Sequence, residues 1–462
     1  MTQKGFIQSD FRTFTTIWLG QLVSIIGSGL TQFALAVWVY VVSGSVTRLA
    51  LILFFSSLPG ILLFPVSGVL VDRWDRRRVL IGSDSLAALA TLAVVVLLWT
   101  DQLAIWHIYM VTAVISIAGS FQWPAFSATV TMLVRQEQLG RAGGMMQLNG
   151  AVAGILAPLV AGVLISLIQL EGIVLIDVIT FLVALFTLII VRIPNPGKTA
   201  EAPSGSIWRE AVYGWQYIKQ RQGLTALLLF FAVFNLSIGL AQALFTPLIL
   251  SVGSPVSLGG VTAAGSIGML LGSMVMSTWG GPKRRIYGVL GFTIICGFFI
   301  TLFGVVASIP VFMIAAFGNL FATPIINASN QAIWQSKVAP DVQGRVFSTR
   351  SMIGWSTAPV AYLLAGPLAD RVFEPLLVEG GALANTFIGQ AIGVGPGRGI
   401  ALLYILVGLL PVASGIVGYL YPRLRLLEDE LPNIVISPAA EVEDETSPAD
   451  YQPQLEGASG AD

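Results

Sequence analysis

Asp84 and Asp177 are the two carboxylates set well inside long apolar runs of this 462-residue chain. A carboxyl group in such surroundings can load and release a proton, and acids placed at membrane depth mark ion pathways. Their neighbours also suggest quieter roles, with Asp84 pairing with nearby arginines and Asp177 serving as a structural hydrogen-bond acceptor. Other reactive groups are sparse, with one histidine, His107, and one cysteine, Cys296. No apolar run holds paired acids, metal-ligand spacing or a nucleophile beside a base. No Gly-x4-Gly-Lys-Ser/Thr phosphate loop occurs. Enzymatic turnover, nucleotide drive and a bound cofactor or metal are therefore not expected, and a single cysteine allows no internal disulfide.

The remaining chemistry lies in neutral polar groups at helical spacing. Gln21, Ser24, Ser28 and Gln32 recur every three or four residues in the first apolar run, as do Asn235, Gly239, Gln242 and Thr246 in the seventh. Each set forms one polar stripe on an otherwise apolar helix. Amides do not face lipid cheaply, so both stripes should face a neighbouring helix or a watery cavity. Gln21, Gln32, Ser116, Trp123, Asn235, Gln242, Asn319, Thr323, Asn327 and Asn330 are the candidate lining residues. With Phe33 and Phe245 beside them they would make a broad, mostly neutral pocket for a large amphipathic solute.

These groups need helices to hold them, and composition supplies the setting. Apolar residues make up 55% of the chain and charged residues 10%, far from the roughly 25% charged of soluble domains. Twelve apolar runs of about 20 residues, each long enough to span a bilayer, cover roughly 14–42, 47–71, 79–99, 104–126, 143–168, 173–191, 224–252, 257–280, 286–307, 309–330, 347–369 and 398–421. Between the second and third lies Gly68-Val69-Leu70-Val71-Asp72-Arg73-Trp74-Asp75-Arg76-Arg77-Arg78, a charged turn that must lie in water. With both termini inside, 21 of the 24 Lys and Arg residues fall on the cytoplasmic side, leaving only Arg48, Arg371 and Arg398 outside. That asymmetry orients a multi-pass membrane chain, whose first span is read as its own insertion signal.

The expected organisation is all-α: a six-helix bundle over 1–191, a cytoplasmic linker over 192–222, a second bundle over 223–427 and an acidic tail over 428–462. The linker opens with Pro194-Asn195-Pro196-Gly197 and continues as an amphipathic interfacial helix carrying Ile207, Trp208, Trp215 and Ile218. The tail holds 10 of the 24 acids and cannot bury a core, so disorder is expected. Without it the membrane body is basic, which suits anionic lipid headgroups and gives no basis for nucleic-acid binding. Gly140-Arg141 and Ala161-Gly162 recur as Gly344-Arg345 and Ala365-Gly366 at an offset of 204, which also carries Gly68 to Gly272. The halves thus read as a duplication. Small residues spaced by four, Gly150, Gly154, Pro158 and Gly162 in the fifth run and Gly260, Ala264, Gly268 and Gly272 in the eighth, allow close backbone approach and are the candidate seam between halves.

The spacing Gly68-x3-Asp72-Arg73-x2-Arg76-Arg77 resembles the motif between the second and third spans of major facilitator superfamily transporters. The twelve runs and the internal repeat fit the same family, whose two parallel bundles enclose a midplane site. The resemblance implies that Gly68 permits close helix approach while Asp72, Arg73, Arg76 and Arg77 latch the halves on the cytoplasmic side. Gly144-x8-Ala153-x3-Ala157-Pro158-x2-Ala161-Gly162 is similar to that family's antiporter motif, with three alanines in place of glycines. Gly20-Gln21-Leu22-Val23-Ser24, Leu139-Gly140-Arg141, Asp177-x2-Thr180-Phe181-Leu182 and the segment ending at Asp370 resemble the macrolide-efflux and enterobactin-exporter group. This implies export of drug-like or siderophore-like molecules from a bacterial cytoplasm across the inner membrane by alternating access, with protons as the exchanged ion; a monomer is expected. An uptake carrier for a polar nutrient is the alternative within the fold, and a membrane scaffold or enzyme the alternative outside it.

Overall fold

The computed structural model describes residues 11–135, 138–191, 207–339 and 342–430. Twelve long helices dominate: α1 (Phe11–Ser43), α2 (Val46–Arg73), α3 (Arg76–Trp99), α4 (Ile105–Leu133), α5 (Leu139–Leu167) and α6 (Gln169–Ile190), then α8 (Gln222–Leu250), α9 (Pro255–Trp279), α10 (Arg285–Val305), α11 (Ile309–Lys337), α12 (Gln343–Pro367) and α15 (Arg398–Leu420). Eleven are long and apolar enough to cross a membrane. The other, α12, carries Arg345, Arg350 and several hydroxyls in its first half, which dilute its apolar character. Short elements complete the chain: α7 (Ile207–Lys219), a π turn (Leu368–Phe373), α13 (Glu374–Leu377), α14 (Phe387–Ile392), α16 (Pro422–Arg425) and α17 (Leu427–Glu430).

Helices α1–α6 pack as one bundle, and α8–α12 with α15 as the other. We call the end of the molecule where α1 begins and α15 ends the terminal face, and the opposite end the distal face. Turns are made by local chemistry. Ser45 accepts a hydrogen bond from the Arg48 amide at the start of α2, and Asp75 caps α3 through the Arg78 amide at 3.1 Å, each satisfying an otherwise unpaired helix-end donor. Gly280 ends α9 in the left-handed conformation, where glycine has no steric penalty. His107 Nδ1 accepts the Ala104 amide at 3.0 Å and so caps α4.

Prolines inside the helices set up contacts between them. Proline has no N–H, so the carbonyl four residues earlier loses its partner, and in lipid that carbonyl must be satisfied elsewhere. Pro158 frees Gly154 O, which accepts Ser266 Oγ of α9 at 2.6 Å. Pro411 likewise frees Val407 O, which accepts Ser237 Oγ of α8 at 2.6 Å. The first of these bonds joins the two bundles.

The linker helix α7 docks on protein and is not merely laid on the membrane surface. Ile218 is fully buried, and a side-chain carbon on Gly214 would lie 2.6 Å from Arg345 O of α12. Trp215 on its other side is exposed. The linker's opening at Pro194 and the chain beyond Glu430 lie outside the described residues. Glu428, Asp429 and Glu430, expected to begin a disordered tail, instead form α17. Glu428 accepts the Ile286 amide at 2.9 Å, and Asp429 pairs with Arg284 at 3.2 Å. Acidic residues stay ordered here because helix-end donors and arginines meet them.

Candidate functional site: a chamber between the bundles

Between the bundles lies a cavity of about 640 Å³. One wall is the stripe on α1, with Gln21, Ser24, Ser28 and Gln32 all lining it, and the facing wall is the stripe on α8, with Gln242 and Thr246. Phe33, Phe181 and Phe245 supply apolar surface between them. The α1 stripe thus lies wholly in this space, whereas the α8 stripe is divided, with Asn235 and Gly239 lining a neighbouring cavity. Two smaller cavities meet it at Gln242: one of about 420 Å³ between α8, α11 and α12, and one of about 350 Å³ between α8, α9, α10 and α11.

Both buried acids stand behind the α1 stripe. Asp84 of α3 is 1% exposed and accepts Gln21 Nε2 at 3.0 Å on one oxygen. Its other oxygen accepts Gln122 Nε2 of α4, which also donates to Gln21 Oε1 at 3.2 Å. The expected pairing of Asp84 with the charged turn is not what forms, because two amides already occupy its oxygens. Gln21 and Gln122 both line the chamber, so the carboxyl is one side chain removed from it. Amides suit a group that gains and loses a proton, since an amide N–H serves the carboxylate and an amide oxygen serves the acid. Asp177 of α6 accepts Ser28 Oγ at 3.2 Å, a second acid reached from the chamber through the same stripe.

Other expected lining residues divide. Asn235 donates to Gly354 O at 3.4 Å, and Gln242 Oε1 accepts Tyr362 Oη at 2.9 Å, so both sit between α8 and α12 beside the 420 Å³ cavity. Asn327 and Asn330 line that same cavity. Asn319 lines the third and donates to Cys296 Sγ at 3.2 Å. Thr323 bonds back to Asn319 O at 3.0 Å within its own helix. Thr323, Ser116 and Trp123 line none of the three cavities. Ser116 Oγ accepts the Gly60 amide at 3.0 Å and joins α4 to α2. Trp123 is 57% exposed while the adjacent Gln122 faces inward, a difference of one helical step that apolar patterning did not resolve.

The bundles touch mainly toward the distal face. A side-chain carbon on Gly162 of α5 would lie 2.7 Å from Pro255 O, and one on Gly259 of α9 would lie 2.3 Å from Pro158 O. Gly366 of α12 would similarly meet Thr47 Cα of α2 at 2.4 Å. Toward the terminal face Gly143, Gly144 and Gly150 have open space. The α5 ridge thus forms the seam, but its partner surface on α9 differs from the expected one. Gly260 packs on Met313, Gly268 on Phe317 and Gly272 on Phe321, all of α11 in the same bundle, and Ala264 shares their helical ridge. The seam uses Pro255, Gly259 and Ser266, one helical step away. Helix α9 carries small residues on two faces, so spacing by four does not tell which meets the other bundle.

One contact at the distal face was not anticipated from sequence. Asp370, in the π turn beyond α12, accepts Ser45 Oγ at 2.7 Å and the amides of Val46 at 3.0 Å and Thr47 at 2.9 Å. A carboxylate from the second bundle thereby caps the first turn of α2 in the first, where the helix dipole favours negative charge.

At the terminal face Gly68, Asp72 and Arg73 belong to α2, but their side chains lie outside the described set. Arg76 Nη1 donates to Ala128 O at 3.2 Å and to Met132 Sδ at 2.7 Å. Arg77 donates to Leu188 O at 3.2 Å and Ile189 O at 2.6 Å. These bonds satisfy carbonyls near the ends of α4 and α6 and hold α3 inside its own bundle.

A multi-pass membrane chain in two six-helix bundles around a central chamber defines a transporter class, and similarity agrees. The chain belongs to the Major Facilitator Superfamily, whose sequence profile matches residues 17–362. It is 30% identical over 363 residues to macrolide efflux protein A of Streptococcus pyogenes, covering 78% of this chain and 90% of that one. It is 25% identical to the multidrug efflux pump Tap of Mycolicibacterium fortuitum, covering 87% and 94%. Among solved structures, the nucleoside transporter NupG aligns with a TM-score of 0.65 at 11% identity, covering 88% and 99%. A bacterial homologue of ferroportin in an inward-facing state aligns at 0.63 with 16% identity, covering 88% and 98%. These two share the fold.

Proposed function

We propose that this protein is a secondary exporter of amphipathic small molecules, working by alternating access with proton antiport. The terminal face is then cytoplasmic, as the Lys and Arg bias requires, and this structure is the state closed outside. Its similarity to proteins named for macrolide and multidrug efflux supports the direction. Asp72 and Arg73 would close the cytoplasmic side in the opposite state, as the family resemblance implies.

The carrying observation is the Asp84, Gln21 and Gln122 cluster, a titratable group joined to the chamber wall by the amides that solute would touch. Solute and proton can then compete for one set of amides, which is the coupling an antiporter needs. Everted vesicles presented with an external lipophilic dye test this. Asp84→Asn should reduce pH-gradient-driven dye uptake at least about tenfold, about 1.4 kcal/mol of coupling, while dye exchange without a gradient persists. Unchanged gradient-driven uptake would remove Asp84 from the mechanism.

A further inference from the structure

The 420 Å³ cavity between α8, α11 and α12 contains a cation that a neutral drug chamber does not need. Arg350 of α12 lines it, with its guanidinium 5.1 Å above the Trp334 ring. Nη1 donates to Gln331 Oε1 at 3.0 Å, and among the described residues no carboxylate pairs with it. A guanidinium presents five donors in a planar fork, and stacking on an aromatic face leaves the edge of that fork free. Burying such a charge without an anion is costly. A second group in the same cavity also lacks a partner: Asn330 is 3% exposed, and its Oδ1 accepts no hydrogen bond. An oxyanion satisfies the guanidinium, and a hydrogen-bond donor carried on the same ligand would satisfy Asn330 as well.

We propose that this cavity seats the acidic head of an amphipathic solute, a carboxylate held by Arg350, with its apolar body passing Gln242 into the central chamber. Gln242 lines both spaces, and Phe245 and Phe33 line the chamber beyond it. The inference rests on the export reading for the solute's route, and it narrows the substrate class to amphipathic acids and zwitterions.

The test is equilibrium binding of labelled 1-naphthylacetate and its neutral amide to the full chain in phosphatidylcholine nanodiscs. The acid should bind at least about tenfold more tightly than the amide, the scale of one charge-assisted bidentate pair. Arg350→Gln should bring that ratio close to one while amide affinity is kept, and Arg350→Lys should retain part of the preference. Arg423→Gln, which removes an exposed charge, should leave it unchanged. Equal binding of acid and amide by the wild type, or a preference that survives Arg350→Gln, overturns the proposal. Should Arg350→Gln bind neither probe, the wild-type ratio alone decides. Nanodiscs containing phosphatidylglycerol separate a soluble acid from a lipid headgroup. Lipid competition that disappears in Arg350→Gln would assign the cavity to the lipid and overturn the solute reading. Binding is measured without a gradient, so a failed export assay with an intact acid preference would count against export alone.

Discussion

Gln122 shows how much one side chain can matter in this protein. It donates to both Asp84 and Gln21, so Gln122→Leu leaves a buried carboxyl oxygen without a donor, a loss of about 1–3 kcal/mol. We expect a lower melting temperature and proton-driven transport reduced about tenfold, both measured on reconstituted protein. The residue scale is also where sequence reading reached least far. Asp84 and the stripe from Gln21 to Gln32 were legible because acids and amides are rare at membrane depth. Sequence alone points to Trp123 and not to Gln122, since only the helix rotation distinguishes them. In the sequence Arg350 is one charge among many on the cytoplasmic side. That no carboxylate among the described residues pairs with it is a three-dimensional fact, and no spacing encodes it.

At the scale of elements, two small-residue ridges on α9 perform different tasks, one against α11 and one against α5. Gly259 belongs to the second, and any side chain there collides with the Pro158 carbonyl. Gly259→Leu should therefore disfavour the distal closure seen here by about 1–3 kcal/mol, as other overpacked interfaces do. Labelling of the chamber-lining Leu49→Cys by an impermeant maleimide reports on this closure, and should become about fivefold faster or more when Gly259→Leu is added. Helix positions themselves were well marked in sequence. Twelve expected runs correspond to twelve long helices, because few residues other than apolar ones can occupy a membrane span. The facing of each helix was less legible wherever small residues occupy more than one side.

For the whole molecule, the governing feature is where the bundles meet. Both seams press glycine on backbone, Gly162 and Gly259 through α5 and α9 and Gly366 through α2 and α12; the first carries one hydrogen bond, from Ser266 Oγ to Gly154 O, and the second the three that Asp370 accepts. Asp370→Asn keeps the shape but turns one accepting oxygen into a donor, so at least one of the three hydrogen bonds is lost along with the charge. We expect the distal face to open more often, seen as about fivefold faster labelling of Leu49→Cys by an impermeant maleimide. The sequence repeat suggested two equivalent halves, but at the offset of 204 the counterpart of Asp370 is Ser166, whose hydroxyl bonds only to Val163 O of its own helix at 2.7 Å.

This one-sidedness has a mechanical outcome. A hydroxyl and two helix-end amides are served almost as well by water as by a carboxylate, whereas glycines pressed against a neighbouring backbone gain nothing from solvent. Any parting of the bundles at the distal face would begin along the edge with three bonds that water can replace and swing on the edge with one, as a door moves on its hinge.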